Sequence, residues 1–205
     1  MRYIIMADGR GTRWNRYGGT PKHLATFGGE TLLARTVRLV RISDPGAEII
    51  ITSHDPSYDI RGAFRYEPMN NVLEVDRFTW ELIADNVCFL YGDTFYADGD
   101  IETIVKEPTE VLKFFGVRHS IVAIKVLGGE RLRQCVKRVR ERFLAGELER
   151  CIGWDVYNEY TGMKDGGRIP GPDFVKMSME TKNINTPKDY LLQKKVLEAE
   201  AWAGL

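Results

Sequence analysis

The chain has 205 residues, with 29 Lys and Arg balancing 29 Asp and Glu. That length suits one domain able to bury a sizeable apolar core without disulfide or metal staples. Formal neutrality removes the global basic field that favours nucleic acid, so a small-molecule site is the better expectation.

Three cysteines, Cys88, Cys135 and Cys151, are odd in number and lack Cys-x-x-Cys spacing, which reads as reduced packing residues. His23, His54 and His119 are scattered, so zinc has no sequence support. The chain opens straight onto a strand, without a signal peptide's charged stretch and apolar core, and no apolar run approaches membrane-spanning length. A soluble cytoplasmic protein, with neither membrane nor nucleic acid as partner and with self-association left open, is the expectation.

Tyr3 to Met6 reads as a short buried strand. It runs into Ala7-Asp8-Gly9-Arg10-Gly11-Thr12-Arg13, followed by Pro21-Lys22. Two glycines one residue apart let the backbone turn tightly and offer bare N–H groups, while Arg13 and Lys22 add positive charge at either end. Such a loop suits a polyphosphate. It is neither a dinucleotide fingerprint, since Trp14 stands where a third glycine belongs, nor a P-loop, since no Gly-Lys-Ser/Thr follows. Taken alone, it also fits a surface turn with solubilising cations.

Gly28-Gly29 marks a turn. Thr31 to Arg41 carries a helical stripe of Leu32, Leu33, Val37 and Val40, with Arg35, Arg38 and Arg41 expected outside. Glu48 to Thr52 is a strong strand after Pro45-Gly46, and Val87 to Tyr91 is another, ending at Gly92-Asp93. Val111 to Phe115 and Ser120 to Val126 are further strand candidates. Glu130 to Ala145 is a helix with Leu132, Val136, Val139 and Phe143 inside; its arginine-rich outer face reads as solvated before it reads as an anion patch. Gly162 to Pro172 is read as a long loop over a site. Phe174 to Met177 is strand-like. Thr186, Pro187 and Asp189 open a last helix expected to bury Leu191, Leu192, Val196 and Leu197. Strands alternating with helices predict an α/β fold with a mostly parallel sheet covered on both faces. No linker or repeat interrupts it, so residues 1–205 are expected to form a single catalytic domain.

The glycine loop and Pro21-Lys22-His23-Leu24 resemble the signature of the NTP-dependent nucleotidyltransferases, which include sugar-phosphate nucleotidylyltransferases and phosphocholine cytidylyltransferases. The resemblance implies a three-layer α/β/α, Rossmann-like (GT-A-type) fold with a mixed central sheet. It also implies that Ala7, Gly9, Gly11, Thr12, Arg13 and Lys22 hold the nucleotide. Asp8 departs from the small apolar residue usual there. Two further motifs follow in family order. Asp93, at a strand's carboxyl end where ligands gather in open α/β sheets, matches a metal ligand. Asn183-Ile184-Asn185-Thr186-Pro187 matches the Asx-Ile-Asx-Thr/Ser-Pro run, whose second Asx, here Asn185, is the other ligand to Mg²⁺. Glu67-Pro68-Met69-Asn70-Asn71-Val72-Leu73 resembles an Asn-Asn segment of phosphocholine cytidylyltransferase-like members and adds Asn71 to the nucleotide contacts.

The implied activity is transfer of a nucleoside monophosphate from an NTP to a phosphorylated sugar or small alcohol, with Arg13, Lys22 and Asp93 at the reaction centre. Lys125, late in a strand, is either a cation near the α-phosphate or an exposed strand end. Trp154, Tyr157 and Tyr160 are either a cage for an acceptor or core. Two rivals stand beside this reading. One is a glycosyltransferase using Asp98-Gly99-Asp100, although this run sits past the strand, where it more naturally caps a helix starting near Ile101. The other is a non-catalytic nucleotide-binding regulator, to which the Asp8 departure lends weight.

Overall fold

The computed structural model describes residues 1–117, 120–164 and 166–203; His119 and Asp165 lie outside the described residues. In chain order the elements are β1 (Arg2–Met6), β2 (Thr26–Phe27), β3 (Glu30–Thr31), α1 (Leu32–Ser43), β4 (Glu48–Thr52), β5 (Phe64–Tyr66), β6 (Val87–Tyr91), β7 (Thr94–Phe95), α2 (Asp100–Lys106), β8 (Leu112–Val117), β9 (Ser120–Val126), α3 (Gly129–Leu144), α4 (Gly153–Thr161), β10 (Phe174–Lys176), β11 (Lys182–Asn183) and α5 (Pro187–Ala203).

Seven strands form one sheet in the order β10-β8-β9-β6-β1-β4-β5. β1 runs parallel to β4 and β6, β5 runs parallel to β4, and β10 runs parallel to β8. Among the described residues, β9 alone runs antiparallel to both of its neighbours within this sheet. Alternating side chains explain the layers. Ile4, Met6 and Phe89 pack on one face with Leu132 and Val136 of α3 and Trp154 of α4. Tyr3, Ile5, Cys88 and Leu90 pack on the other with Val37 and Val40 of α1 and Ile104 of α2. The fold is therefore a three-layer α/β/α with a mostly parallel mixed sheet, as the sequence predicts. Among the described residues no helix is long and apolar enough to cross a membrane.

A third, smaller cluster lies beneath the glycine loop, where Trp14, Phe27, Phe95 and Ile184 gather with Tyr190 and Leu197. It corrects the expectation for α5. Leu191 and Leu192 are 44% and 53% exposed, whereas Gln193 is buried. The helix rests on this narrow cluster, not on the broad sheet, so the row through Tyr190, Gln193 and Leu197 faces inward, with Val196 partly buried beside it.

Three arginine and lysine assignments also change. Arg35 is not an outward solvent group: its guanidinium lies 4.4 Å from the Phe95 ring centroid and donates to Tyr96 O and Asp98 Oδ1. The basic face of α3 is solvated at Lys137 and Arg138, the latter also paired with Glu159, but it is tied into the chain where Arg140 donates to Asp76 and Arg133 to the Ile83 carbonyl. Lys125 is neither exposed nor near the glycine loop. Because β9 runs antiparallel to β6, Lys125 pairs with Cys88 near the opposite end of the sheet. There its buried ammonium donates to Val105 O (2.8 Å) and Glu107 O (2.7 Å), closing the C-terminus of α2.

Candidate active site

Two parallel neighbours, β1 and β6, end side by side, with Met6 in register with Tyr91. The glycine loop leaves one and Gly92-Asp93 leaves the other. Gly92 has to be bare: a Cβ there would lie 2.8 Å from Met6 O and 3.2 Å from the Ala7 side chain. Its N–H donates to Met6 O at 3.0 Å, which draws Asp93 against the start of the loop. The C-terminal motif is delivered by a short antiparallel pair, Asn183 opposite Thr94, and by Ile184 N donating to Asp93 O at 2.7 Å. Distant segments thereby meet: Arg13 Nη2 donates to Asn185 Oδ1 at 2.9 Å, across a separation of 172 residues.

Lys22 Nζ pairs with Asp93 Oδ2, and both side chains are buried. Burial by itself pushes the Asp93 carboxyl up, but the charge of Lys22 and its hydrogen bond, with Arg77 beyond, hold it below its ordinary value. The next residue after Lys22, His23, is fully enclosed; burial first, then the Lys22 charge, pull its pKa down to about 3, so the ring is neutral. Its Nδ1 lies 2.9 Å from Tyr58 Oη.

Gly11, Thr12, Arg13, Lys22, Asn71, Asp93 and Asn185 all line one cleft of about 470 Å³. Ala7 and Gly9 do not; they line an adjoining pocket of about 160 Å³ that shares Arg10, Gly11 and Lys22 with the cleft. Gly11 adopts φ +59°, the left-handed conformation that glycine takes without strain. Asp8 turns aside from the cleft. Its carboxylate accepts from His54 N at 3.0 Å and Asn71 Nδ2 at 2.7 Å, and lies 2.8 Å from His54 Nδ1. It is a strut that fixes Asn71 beside the glycine loop.

The aromatic residues of α4 divide differently from an acceptor cage. Trp154 stacks on Phe174 at 5.1 Å, and Tyr157 is wholly buried against Phe114. Trp154 still contributes to the cleft wall. The Asp-x-Asp pair is spent elsewhere: Asp98 pairs with Arg35, and buried Asp100 accepts from Ser178 N and Thr181 Oγ1. Neither lines the cleft.

The structure adds residues that no motif announces. Arg77, Arg150 and Arg168 join Arg10, Arg13 and Lys22, so six cations face two carboxylates, Glu74 and Asp93, on the wall of one cleft. They come from a 3-10 turn, the segment before α4 and the loop before β10, and only the tertiary fold assembles them.

A divalent cation can be tested against this donor set. Among the described residues no cluster of three or more His, Cys, Asp or Glu forms that could hold a metal. The oxygen donors are the Asp93 carboxylate, whose Oδ2 pairs with Lys22 and whose Oδ1 makes no hydrogen bond among the described residues, and the Asn185 amide oxygen, which accepts from Arg13 at 2.9 Å. That sparse, all-oxygen set suits Mg²⁺, which keeps several waters and leans on substrate phosphates. It suits a softer metal poorly.

No family model and no curated protein matches this sequence. Solved structures do. CTP:phosphocholine cytidylyltransferase from Streptococcus pneumoniae superposes with a TM-score of 0.60 at 13% identity, covering 96% of this chain and 98% of that one. A proposed glucose-1-phosphate thymidylyltransferase from Bacillus anthracis gives 0.63 at 17%, covering 96% and 95%. 2-C-methyl-D-erythritol 4-phosphate cytidylyltransferase from Thermus thermophilus gives 0.58 at 16%, covering 96% and 98%. Over 96% of its length, the chain has the fold of the nucleotidyltransferases its glycine loop and Asx-Ile-Asx motif resemble.

Proposed function

We propose that the protein is a Mg²⁺-dependent nucleotidyltransferase that moves a nucleoside monophosphate from an NTP to a phosphorylated sugar or small alcohol. One observation carries this reading: the cleft where Lys22–Asp93 and Arg13–Asn185 meet is lined by six cations on a chain with no net charge. A triphosphate beside a phosphorylated acceptor is the small-molecule combination that needs such a wall.

In the reaction an acceptor phosphate oxygen forms a bond to the α-phosphorus. The bond from that phosphorus to the bridging oxygen breaks, and pyrophosphate leaves with the electron pair. The acceptor oxygen is already ionised, so no general base is required. Asp93 and Asn185 are the residues that would hold Mg²⁺, which when bound supplies Lewis-acid stabilisation of phosphoryl charge. Lys22 and Arg13 offset charge on the departing pyrophosphate, and the N–H groups around Gly11 contribute fixed dipoles. Asn71, held by Asp8, positions the nucleotide.

The test is pyrophosphate release with Mg²⁺, each NTP in turn and a panel of phosphorylated acceptors. Acceptor-dependent release is expected. Nucleotide binding without release for any acceptor would instead favour a regulator. Consumption of a nucleotide-sugar without pyrophosphate would favour a glycosyltransferase, against which the placement of Asp98 and Asp100 already counts.

A further inference from the structure

Arg77 stands outside every motif of the chain. It belongs to the 3-10 turn Glu74–Phe78, whose entry is held by Asp76 Oδ2 accepting from Val72 N and Leu73 N just before it. Its side chain is only 29% exposed, and its guanidinium makes no hydrogen bond among the described residues. The one ion pair, to Glu74 Oε1, is a loose 3.7 Å, and Glu74 is itself about half in solvent. A guanidinium carries five donors in a rigid fork, so at the cleft wall Arg77 presents donors that no acceptor of the described residues takes and that a ligand's oxygens could.

Gly9 of the glycine loop packs against this group. A Cβ on Gly9 would lie 3.3 Å from Arg77 Cζ and 3.4 Å from Nη2. Gly9 does not have the positive φ that Gly11 has, so its backbone alone does not demand glycine. What its bareness admits is the flat face of the guanidinium. Arg77 then reaches the same cleft as Lys22 and Asp93. The other cation considered for the reacting phosphate, Lys125, is tied to α2 on the far side of the sheet.

From this geometry we infer that Arg77 is a catalytic residue: its fork binds the α-phosphoryl group at Asp93, and Gly9 is bare to let it do so. The inference rests on the nucleotidyltransferase reading. Bidentate pairing of Arg with phosphate oxygens is a strong, oriented contact. A donor aimed where charge shifts between ground and transition state acts mainly on turnover.

The experiment compares wild type with Arg77→Met, Arg77→Lys, Gly9→Ala and the Gly9→Ala/Arg77→Met double variant. Affinity for each Mg²⁺–NTP is measured by calorimetry, turnover by pyrophosphate release and integrity by thermal unfolding. Arg77→Met is expected to lose about 10²–10³-fold in kcat and about tenfold or more in NTP affinity, with its unfolding temperature close to wild type. Arg77→Lys should recover part of both, since it keeps the charge without the fork. Gly9→Ala should show a smaller loss that vanishes in the Arg77→Met background, because both act on one contact. It also keeps the test alive should Arg77→Met fold poorly. Folded Arg77→Met with wild-type affinity and turnover would overturn the inference, as would a Gly9→Ala loss that adds in full. A wild type that binds no NTP would remove the inference together with the reading beneath it; unchanged variants beside an active wild type would remove the inference alone.

Discussion

Asp93 illustrates how one side chain is fixed by its neighbours. Gly92 lets the chain pass within contact of Met6, and Lys22 neutralises the buried carboxylate. Asp93→Asn keeps the shape but removes the charge that would hold a cation, so turnover is expected to fall by about 10²-fold or more. Pyrophosphate release by the folded variant checks this, and an unimpaired enzyme would displace the metal assignment. His23, beside Lys22 in the chain, predicts a pH effect. Its folded-state pKa, about 3, lies below the ordinary imidazole value of 6.5. Below about pH 6.5 the unfolded chain therefore binds a proton the folded one refuses, and stability falls on acidification until about pH 3, by up to about 1.4 kcal/mol per pH unit. Denaturant unfolding at pH 7 and pH 4.5 should show that slope, and His23→Gln should flatten it. Asp93 adds to the same trend, since its lowered pKa makes its contribution present at neutral pH and lost as pH falls through the folded value.

At the scale of elements, two corrections can be checked. Lys125 closes α2 instead of serving the cleft, so Lys125→Met should cost about 1–3 kcal/mol of stability by stranding Val105 O and Glu107 O. Its kcat should stay near wild type, whereas a lysine at the phosphate would show the reverse. On α5, Leu191→Gln with Leu192→Gln is expected to leave stability within about 0.5 kcal/mol per site, because both side chains already face solvent. Thermal unfolding of the double variant distinguishes this from a helix that seals the domain through those leucines.

Over the whole molecule, opposite charges balance, but the cations are concentrated. A neutral chain places six cations around one cleft, and Arg138 and Arg140 of α3 pair within the chain. Pyrophosphate binding to the cleft should therefore weaken steeply between about 0.05 and 0.5 M salt, as the screening length falls below the span of the site. Calorimetric titration at several ionic strengths reads this directly. A flat response would mean that binding depends on a few buried contacts alone.

Strand and helix periods were legible from local residues: Tyr3 to Met6, Glu48 to Thr52 and Val87 to Tyr91 have apolar runs whose burial on both faces follows from composition alone. The loop's glycines and the cations flanking them were legible in the same way, because Gly11, Arg13 and Lys22 lie close in sequence. Partnerships were not. Whether Lys125 meets a phosphate or a helix end depends on which way β9 runs, and strand direction is set by the packing of distant segments. Asp8 read as an anomaly until His54 and Asn71 were beside it. Arg77 carried no local signal at all, since its meaning comes from Gly9, far earlier in the chain, leaving room for it. Local sequence determines what a side chain can do; the fold decides what it is next to, because electrostatic and packing energies depend on distances that only tertiary contacts create.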